Sequence, residues 1–356
     1  MIVNFIDSKD KTLYENFVND KEETTCLQMW EWATFRNKLG SKLYNRIGIV
    51  NNGKLSLSAI YAVNKFSFLG NVLYIPQGPI WDGNKSLFEF KKSIVELAEV
   101  NNCFAVICDP RVEENGKKFN ELLESGFKCT HEAVQPRVTI RLELSRSEED
   151  LLASFNKSTR YNIKYANKNN IKITKYNSPS DIDHIKTFYK LITETKERKY
   201  FYVQQEDYFS YLWSEFSGNK HATIYEASFK DEILGSMIVI NNDHNAFSLF
   251  SASTRKYDNL KFMYLLRWES IKDAKNRGCK VYDFFGATDE SNTHHPFYYT
   301  TQHKLGFSKN FVKYAGTFEI LLNPIKYNIW KLFQKAGIIK FYEKYYLVDF
   351  KKRNVN

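Results

Sequence analysis

The chain has 356 residues, of which 43% are hydrophobic and 26% are charged, and its formal net charge is +10. This length is too great for one ordinary hydrophobic core and predicts two domains of a soluble globular protein. Neither a run of about 18 apolar residues nor a basic start followed by an apolar stretch is present, so we expect no membrane-spanning helix and no secretory signal. The charge favours nucleic acid, nucleotide phosphates or an acidic membrane face as partner, or reflects a generally basic surface.

The first part of the chain is typical of a mixed α/β domain. The helix expected at 26–38 carries Leu27, Trp30 and Phe35, and two strands are expected around the turn Asn51-Asn52-Gly53. The expected elements are a helix at 26–38, strands near 45–50, 55–63 and 71–75, a helix near 86–101 and a buried strand at 103–108.

A second unit begins near Ser145. Ser145 and Ser147 can cap a helix whose first turn carries Glu148 and Glu149, and Gly278 is expected to end a later helix. The expected elements are helices near 181–197, 206–216 and 260–277, strands near 221–228, 233–241, 246–252 and 280–285, and a tail from Phe311 that returns to strand and helix.

Both units share one order of elements: helices, an antiparallel run, and then a helix between two strands. The strand, helix and strand at 246–252, 260–277 and 280–285 resemble the core of the GCN5-related acetyltransferase fold. We therefore expect an α/β (α+β) fold of two tandem acetyltransferase-like domains. Their predicted bounds are 1–145 plus 317–356 for the first domain and 146–316 for the second.

The loop before the central helix of the second unit reads Arg255-Lys-Tyr-Asp-Asn-Leu260 and contains no glycine. Acetyltransferases of this fold hold the coenzyme A pyrophosphate on the backbone N–H groups of a glycine-rich loop, which side chains would obstruct. We therefore expect no coenzyme A and no other cofactor, and an acyl group that arrives on a different carrier.

Seven short segments match, in order, the motifs of one protein family. They are Leu27-Gln-Met-Trp-Glu-Trp-Ala-Thr-Phe-Arg36, Tyr74-Ile-Pro-Gln-Gly-Pro79, Asp109-Pro-Arg111, Arg160-Tyr-Asn-Ile-Lys-Tyr-Ala166, Thr195-Lys-Glu-Arg198 with Phe201 and Tyr202, Ala274-Lys275 with Gly278 and Tyr282-Asp-Phe-Phe-Gly286, and Gln302-His-Lys304-Leu-Gly-Phe307. Together they resemble the FemABX family of tRNA-dependent non-ribosomal peptidyltransferases over almost the whole chain. Met29, His303 and Ser308 depart from the family's residues, and the absence of sustained heptads resembles the short FemX-like members without a coiled-coil arm.

The resemblance implies an acyltransferase of peptidoglycan biosynthesis and cell-wall biogenesis. Such an enzyme moves an amino acid from aminoacyl-tRNA to the amine of the third stem-peptide residue of UDP-MurNAc-pentapeptide or lipid II. The resemblance implies a cytoplasmic enzyme, either free or in peripheral contact with the inner face of the membrane. The ester is already activated, so the reaction needs no metal and no ATP, but it needs a neutral amine and stabilisation of an oxyanion.

The resemblance also assigns roles to residues. Lys304 matches the family's functional lysine and is the candidate cation beside the reacting ester, against the alternative of a surface lysine at a helix end. Asp109, at the end of an apolar strand, is the candidate base or amine-orienting carboxylate, against the alternative of a turn residue. Asp283 follows a tyrosine of a predicted strand, and we expect it to have a structural role rather than a catalytic one.

Other residues are candidates for binding. Arg36 and Arg198 match the positions that hold the precursor diphosphate, which suits the bidentate guanidinium, and Tyr202 lies on the same stretch as Arg198. A solvated helix face is the alternative for the two arginines, and an aromatic core residue is the alternative for Tyr202. Arg160 and Lys164 lie on a basic segment that could contact tRNA phosphates or form a solvated helix face.

Several alternatives stay open. His294, His295 and His303 lack a carboxylate or cysteine at a recognisable metal spacing, so we expect no metal site. The acceptor could be another peptide, a protein N-terminus or a lipid headgroup, and the chain could be a non-catalytic RNA- or membrane-binding protein that keeps the fold. The sequence does not distinguish glycine, alanine and serine as the transferred amino acid, nor soluble from lipid-linked precursor.

Overall fold

A computed structural model describes residues 2–4, 10–19, 21–40, 43–130, 132, 134–199, 203–289, 291–295 and 297–336. The chain divides into two compact units, the first made of residues up to Arg137 together with those from Lys313 onward, and the second of Val138–Val312. Each unit has one β-sheet with helices packed on it. No helix in the described ranges is long and apolar enough to cross a membrane.

The first unit contains an eight-stranded sheet in the order β1-β2-β3-β4-β6-β15-β7, with β5 paired to β3. Its elements are β1 Ile2–Asn4, α1 Lys11–Val18, α2 Trp30–Lys38, β2 Tyr44–Asn51, β3 Lys54–Phe66, β4 Gly70–Ile75, β5 Ile80–Trp81, α3 Asn84–Val100, β6 Cys103–Cys108, α4 Lys117–Glu124, β7 Lys128–Cys129, β15 Phe318–Leu321 and α11 Pro324–Lys335. The predicted helices and strands of this part are confirmed, because each overlaps one of these elements.

Local sequence explains the shape of this sheet. Asn52 and Gly53 have φ values of +50° and +73°, which are the left-handed conformations that a tight turn between β2 and β3 requires. The buried face of α3 carries Leu87, Phe90 and Ile94 at helical spacing and packs in the same hydrophobic core as the inward residues of the sheet. The helix connects the parallel strands β4 and β6, so β6 ends where a ligand cleft commonly opens.

The C-terminal part of the described chain completes the first sheet. Strand β15 inserts between β6 and β7 and pairs antiparallel with both. Helix α11 then packs its Trp330 against Phe104 of β6, with ring centroids 5.7 Å apart. The last strand of the first sheet is therefore supplied by chain that follows the whole second unit.

The second unit contains a seven-stranded sheet in the order β14-β8-β13-β12-β11-β10-β9. Its elements are β8 Val138–Glu143, α5 Glu148–Ser154, α6 Lys157–Lys168, β9 Lys172–Tyr176, α7 Asp183–Lys199, α8 Glu206–Gly218, β10 Ala222–Phe229, β11 Glu232–Asn241, β12 Asn245–Ser253, α9 Phe262–Asn276, β13 Val281–Asp283, α10 Tyr298–Leu305 and β14 Asn310–Lys313. Ser147 caps α5 by accepting from the backbone N–H of Asp150, as predicted.

One parallel pair interrupts the antiparallel second sheet. Strands β12 and β13 are parallel and are joined by α9, which repeats the β4-α3-β6 arrangement of the first unit. Their pairing ends at Phe247 and Asp283, so the strands separate at Ser248 and Phe284. Gly278 follows α9 with a φ of +90°, in accord with its expected role. The strand expected at 280–285 is shorter, because Phe285 and Gly286 have φ values of +51° and +42°, which lie outside the β region.

The observed boundaries between the units differ from the expected ones. The first domain was expected to run to 145, but β8 pairs with β13, with Arg141 opposite Asp283, and so belongs to the second sheet. Residues 138–145 therefore move to the second unit. The second expected boundary, at 316, shifts to 312 for the described chain. Neither shift has a local signal in the sequence, because both depend on strand pairing across more than a hundred residues.

Candidate active site

Asp109 lies directly after β6 in the first unit, and its carboxylate is enclosed by polar groups from separate segments. The Tyr74 hydroxyl lies 3.1 Å from both carboxylate oxygens and donates to them, and the backbone N–H of Gln77 donates to Oδ1 at 2.7 Å. Gln135 donates in turn to the Tyr74 hydroxyl at 3.2 Å. Asp109 is thus not a simple exposed turn residue, since only 6% of its surface is accessible.

Burial controls the ionisation of Asp109. Loss of solvation raises the pKa of this carboxyl group to about 7, while the hydrogen bonds from Gln77 and Tyr74 oppose the shift. A carboxyl group with a pKa near neutrality can both accept and release a proton at physiological pH. The surroundings of Asp109 therefore suit the predicted role of a base.

The first three sequence motifs meet beside Asp109. Gln28, which is completely buried, donates to the Pro76 carbonyl at 2.6 Å and accepts from the Ile60 N–H at 2.9 Å. A Cβ on Gly78 would lie only 2.6 Å from the Gln28 side chain, so any larger residue there would displace the Gln28 amide from these hydrogen bonds. Gln28 therefore fixes the segment that supplies the backbone donor to Asp109.

A small cleft opens next to Asp109 within the first unit. Arg111 stacks over the Tyr314 ring at 4.7 Å, and Arg137 Nε donates to the Tyr314 carbonyl at 3.0 Å. The lining residues are Gln77, Asp109, Pro110, Arg111, Gln135, Pro136, Arg137, Tyr314 and Gly316. The cleft thus combines two guanidinium groups with the buried carboxyl group.

Arg36 lies in the last turn of α2 and is 6% exposed. Its guanidinium carbon is 5.2 Å from the centroid of the Tyr44 ring and 5.9 Å from that of Phe35. The alternative of a solvated helix face is therefore wrong for Arg36. A planar cation held between aromatic rings has a fixed orientation, as a binding residue requires.

Lys304 lies on α10 in the second unit, and its ammonium group points to backbone oxygens. Nζ donates to the carbonyl of Phe285 and, at 2.6 Å, to that of Gly286. Phe285 and Gly286 both have positive φ values, +51° and +42°. Lys304 thus anchors a strained segment directly after β13, and the alternative of a simple surface lysine does not describe it.

The environment of Lys304 disfavours its charged form. Burial of the ammonium group, followed by the positive charge of Arg267, lowers the pKa of Lys304 to about 7, while Asp283 acts in the opposite direction. Asp283 is fully buried, accepts from Thr139 Oγ1 at 2.5 Å and accepts the N–H of Phe285 at 2.8 Å. Asp283 therefore holds the same segment as Lys304, in accord with a structural role.

Helix α6 carries the basic segment of the fourth motif. Arg160 donates to the carbonyls of Ala153, at 2.9 Å, and Phe155, so its guanidinium stabilises the α5–α6 connection. Lys164 is exposed, and the rings of Tyr161 and Tyr165 stack with centroids 5.9 Å apart. The exposed face of α6 is thus both basic and aromatic.

The remaining candidates are only partly described. Arg198 lies near the end of α7, and its side chain is outside the described residues, as is the whole of Tyr202. The His303 ring packs against Tyr264 at 4.5 Å between centroids. No group of three histidine, cysteine or acidic residues in the described ranges could hold a metal ion.

The candidates are divided between the two units. Asp109 and Arg36 lie in the first unit, whereas Lys304, Arg160, Lys164 and Arg198 lie in the second. Sequence reasoning did not predict Tyr74, Gln77 or Gln135 around Asp109, although the first two belong to a recognised motif. Arg267, beside Lys304, lies outside every motif and carried no signal in the sequence.

Comparison with known proteins identifies the family. The FemAB family profile matches residues 10–234 and 219–335, which is most of the chain. The chain therefore belongs to the FemAB family. A lipid II:glycine glycyltransferase of Staphylococcus aureus (strain MRSA252) is 25% identical over 224 residues, which cover 60% of this chain and 52% of that protein. This chain thus spans about half the length of the curated relatives it matches.

Solved structures with the same fold support this placement. The crystal structure of FemX has a TM-score of 0.83 at 18% identity and covers 92% of this chain and 99% of that chain. A tandem GNAT protein from the clavulanic acid biosynthesis pathway has a TM-score of 0.50 at 11% identity and covers 91% and 99% of the two chains. The predicted fold class, two tandem acetyltransferase-like domains, is confirmed.

Proposed function

We propose that this protein is an aminoacyltransferase of peptidoglycan bridge formation. It moves an amino acid from aminoacyl-tRNA to the amine of the third stem-peptide residue of a peptidoglycan precursor, either UDP-MurNAc-pentapeptide or lipid II. The observation that carries this proposal is membership of the FemAB family together with the named activity of its relatives, the lipid II:glycine glycyltransferases. The reaction would take place in the cytoplasm, where the enzyme has access to both aminoacyl-tRNA and the precursor.

The proposed chemistry is aminolysis of the ester that links the amino acid to the tRNA ribose. The attacking amine must be neutral, although a lysine ε-amine has a reference pKa of about 10.4. Asp109 and Lys304, whose pKa values both lie at about 7, are the groups that can accept or release a proton at neutral pH. We assign Asp109 to orienting and deprotonating the amine, and Lys304 to the reacting ester and the departing ribose oxygen.

Substrate binding is assigned to separate residues. Arg36 and Arg198, with Tyr202, hold the diphosphate of the precursor, since arginine binds phosphate oxygens through two parallel N–H donors. Lys164, with the stacked tyrosines of α6, contacts the tRNA, and Arg160 supports that helix through its bonds to Ala153 and Phe155. The glycine-free loop from Arg255 to Leu260 supports a donor other than coenzyme A.

Product mass is the direct test. The protein is incubated with a pool of charged tRNA and with UDP-MurNAc-pentapeptide or lipid II, and the precursor is examined by mass spectrometry. A mass increase equal to one amino-acid residue on the stem peptide supports the proposal. Transfer to an added peptide or to phosphatidylglycerol, with an unchanged precursor, would instead identify an aminoacyl-tRNA-dependent transferase with another acceptor. Binding of RNA without any transfer would identify a non-catalytic protein.

A further inference from the structure

The second unit contains a buried arginine that has no counter-ion among the residues that the structure describes. Arg267 of α9 is 4% exposed and forms one hydrogen bond, from Nη1 to Ser248 Oγ at 3.1 Å. Its Nε has no hydrogen-bond partner, and no carboxylate of the described chain lies within ion-pair distance of its guanidinium. A guanidinium group stays charged in proteins, and an unpaired buried charge is costly. Such an arrangement indicates a site that an anion completes.

Arg267 lies where the two parallel strands of the second sheet separate. Pairing of β12 with β13 ends at Phe247 and Asp283. The next residue on each strand contacts the arginine: Ser248 accepts its hydrogen bond, and the Phe284 ring lies 5.5 Å from its guanidinium carbon. Ligands of open α/β sheets commonly bind at the carboxyl ends of diverging strands. The position of Arg267 therefore matches that of a ligand-binding residue.

Lys304 is poorly suited to be the permanent cation of this region. Two of its N–H donors bind the backbone carbonyls of Phe285 and Gly286. The described ionisable groups that act on it are Arg267 on α9 and Asp283 on β13, and burial together with Arg267 lowers its pKa to about 7. This lowered pKa means that Lys304 can lose its charge near neutral pH. Arg267 is the group of the pair that stays charged at every working pH.

We propose that Arg267 binds the oxyanion that forms on the ester carbonyl of the donor, with Lys304 beside it as the group that exchanges protons. This inference rests on the proposed function. The amine nitrogen forms a bond to the carbonyl carbon, and the carbonyl π electrons move to the oxygen, whose negative charge Arg267 receives. When that pair re-forms the carbonyl, the bond from carbon to ribose oxygen breaks. Asp109 takes the first proton, whose loss makes the amine neutral before it attacks. The second proton, which the nitrogen loses after it attacks, goes to the ribose oxygen through Lys304.

The first test uses stability and needs no substrate. Arg267→Met removes a buried charge that has no counter-ion in the described chain and keeps a similar apolar volume, so its Tm should equal or exceed that of the wild type. Arg277→Met is the matched control, because Arg277 directly follows α9 but is paired with Asp273 at 2.8 Å. The Tm of Arg277→Met should therefore fall. A clear fall of Tm in Arg267→Met would show that the guanidinium is a structural contact and would overturn the proposal.

The second test measures the binding of methylphosphonate, a small tetrahedral oxyanion, by calorimetric titration into the whole protein. Saturable binding should be present in wild type and Arg277→Met, and it should weaken at least tenfold in Arg267→Met and in Arg267→Gln, which keeps a donor for Ser248. Equal binding in wild type and both Arg267 variants, or no binding to wild type, would contradict the oxyanion site. Both tests remain decisive if no transfer to a peptidoglycan precursor is found, so the two proposals fail separately.

The third test applies once transfer is measured. Arg267→Met should lower kcat by about 10²–10³-fold and change KM for either substrate little, because the contact forms mainly in the transition state. The midpoint of the pH dependence of the residual kcat should also move to higher pH, since Arg267 no longer lowers the pKa of Lys304. A variant with normal kcat and an unshifted pH profile would exclude Arg267 from the reaction.

Discussion

At the scale of single residues, two ionisable groups with pKa values near neutrality carry the proposed chemistry. For Lys304, the structure shows an environment that the sequence did not predict. The sequence predicted a cation beside the ester, and the structure adds two carbonyl acceptors and a pKa lowered to about 7. These features fit a proton carrier better than a fixed charge, and the two roles can be separated by mutation.

Replacement of Lys304 distinguishes these roles. Lys304→Ala should bind both substrates but lower kcat by ~10²–10³. Lys304→Arg keeps a positive charge but cannot readily release a proton, so we expect it to be nearly as slow as Lys304→Ala. Single-turnover kinetics with preformed aminoacyl-tRNA measures the chemical step apart from product release. A normal single-turnover rate in Lys304→Ala would remove this lysine from the mechanism, and substantial rescue by arginine would favour the fixed charge.

Asp109 gives a prediction about stability that needs no substrate. Its folded-state pKa of about 7 lies above the unfolded value of about 3.9. Between these values the folded protein binds more protons than the unfolded chain, so this group's contribution to stability is present below about pH 4 and is lost as pH rises through about 7. Asp109→Asn should remove that loss. Its free energy of unfolding should exceed the wild-type value at about pH 8 by on the order of 2–4 kcal/mol, and the two should be similar near pH 4.

Denaturant unfolding of the two proteins across this pH range measures the difference directly. Parallel stability curves for wild type and Asp109→Asn would mean that the carboxyl group titrates normally. In that case the role of Asp109 as a base with a pKa near neutrality would have to be abandoned, whatever the activity of the variant.

Arg36 and Arg198 test the assignment of the precursor diphosphate. Arg36→Met and Arg198→Ala should each raise KM for the precursor by about 10- to 150-fold, because hydrogen bonds to charged groups contribute roughly 1.5–3 kcal/mol. Affinity for tRNA should stay unchanged. Circular dichroism must first show that Arg36→Met is folded, since Arg36 is buried. An unchanged precursor KM in both folded variants would exclude the pair from this role.

At the scale of secondary-structure elements, the sequence predicted positions well where periodicity is strong. The buried run from Cys103 to Cys108 and the apolar face of α3 are the observed β6 and α3. The sequence failed where an element depends on distant chain: β8 was not assigned to the second sheet, because its partner β13 lies more than a hundred residues away. Periodicity carries no information about such pairing.

Helix α6 gives a prediction about the donor. Its exposed face carries Lys164 and the stacked pair Tyr161 and Tyr165, and the helix has no acidic residue. Lys164→Ala should reduce the slope of log affinity against log salt for uncharged tRNA by about one. Tyr161→Ala should weaken binding by about 5- to 150-fold if a base stacks there, since stacking contributes roughly 1–3 kcal/mol per base.

The matched control for this helix is Lys172→Ala, which removes an exposed lysine from β9 in the same unit. Fluorescence anisotropy at several salt concentrations provides the measurement. If Lys164→Ala and Tyr161→Ala bind tRNA like Lys172→Ala, the face of α6 is a solvated surface. The same variants with vesicles containing phosphatidylglycerol would show whether the face binds a membrane instead.

At the scale of the whole molecule, the two units repeat one arrangement but hold different groups. In the first unit, Asp109 follows β6 of the parallel pair β4 and β6, and in the second unit, Arg267 lies where the parallel pair β12 and β13 separates. Asp109 could be predicted from the sequence, because it belongs to a motif and follows a buried strand. The motifs could not predict Arg267, because its significance comes from the lack of a counter-ion among the described residues, which only the packed structure shows.

The contact between Gln28 and Gly78 makes the same point for the first unit. Both residues belong to motifs recognised in the sequence, but nothing in either motif indicates that the glutamine side chain packs against the glycine. Motifs therefore located the candidate site, and tertiary structure supplied the reasons for particular residues.

Transfer from defined donors tests the central claim most directly. Purified protein is incubated with UDP-MurNAc-pentapeptide or lipid II and with either glycyl-, alanyl- or seryl-tRNA or acetyl-CoA, and the precursor is weighed by mass spectrometry. We predict the mass of one added amino acid with at least one of the charged tRNAs, located by fragmentation on the third stem residue, and no product with acetyl-CoA. An acetylated product, or an unchanged precursor with every charged tRNA, would contradict the account.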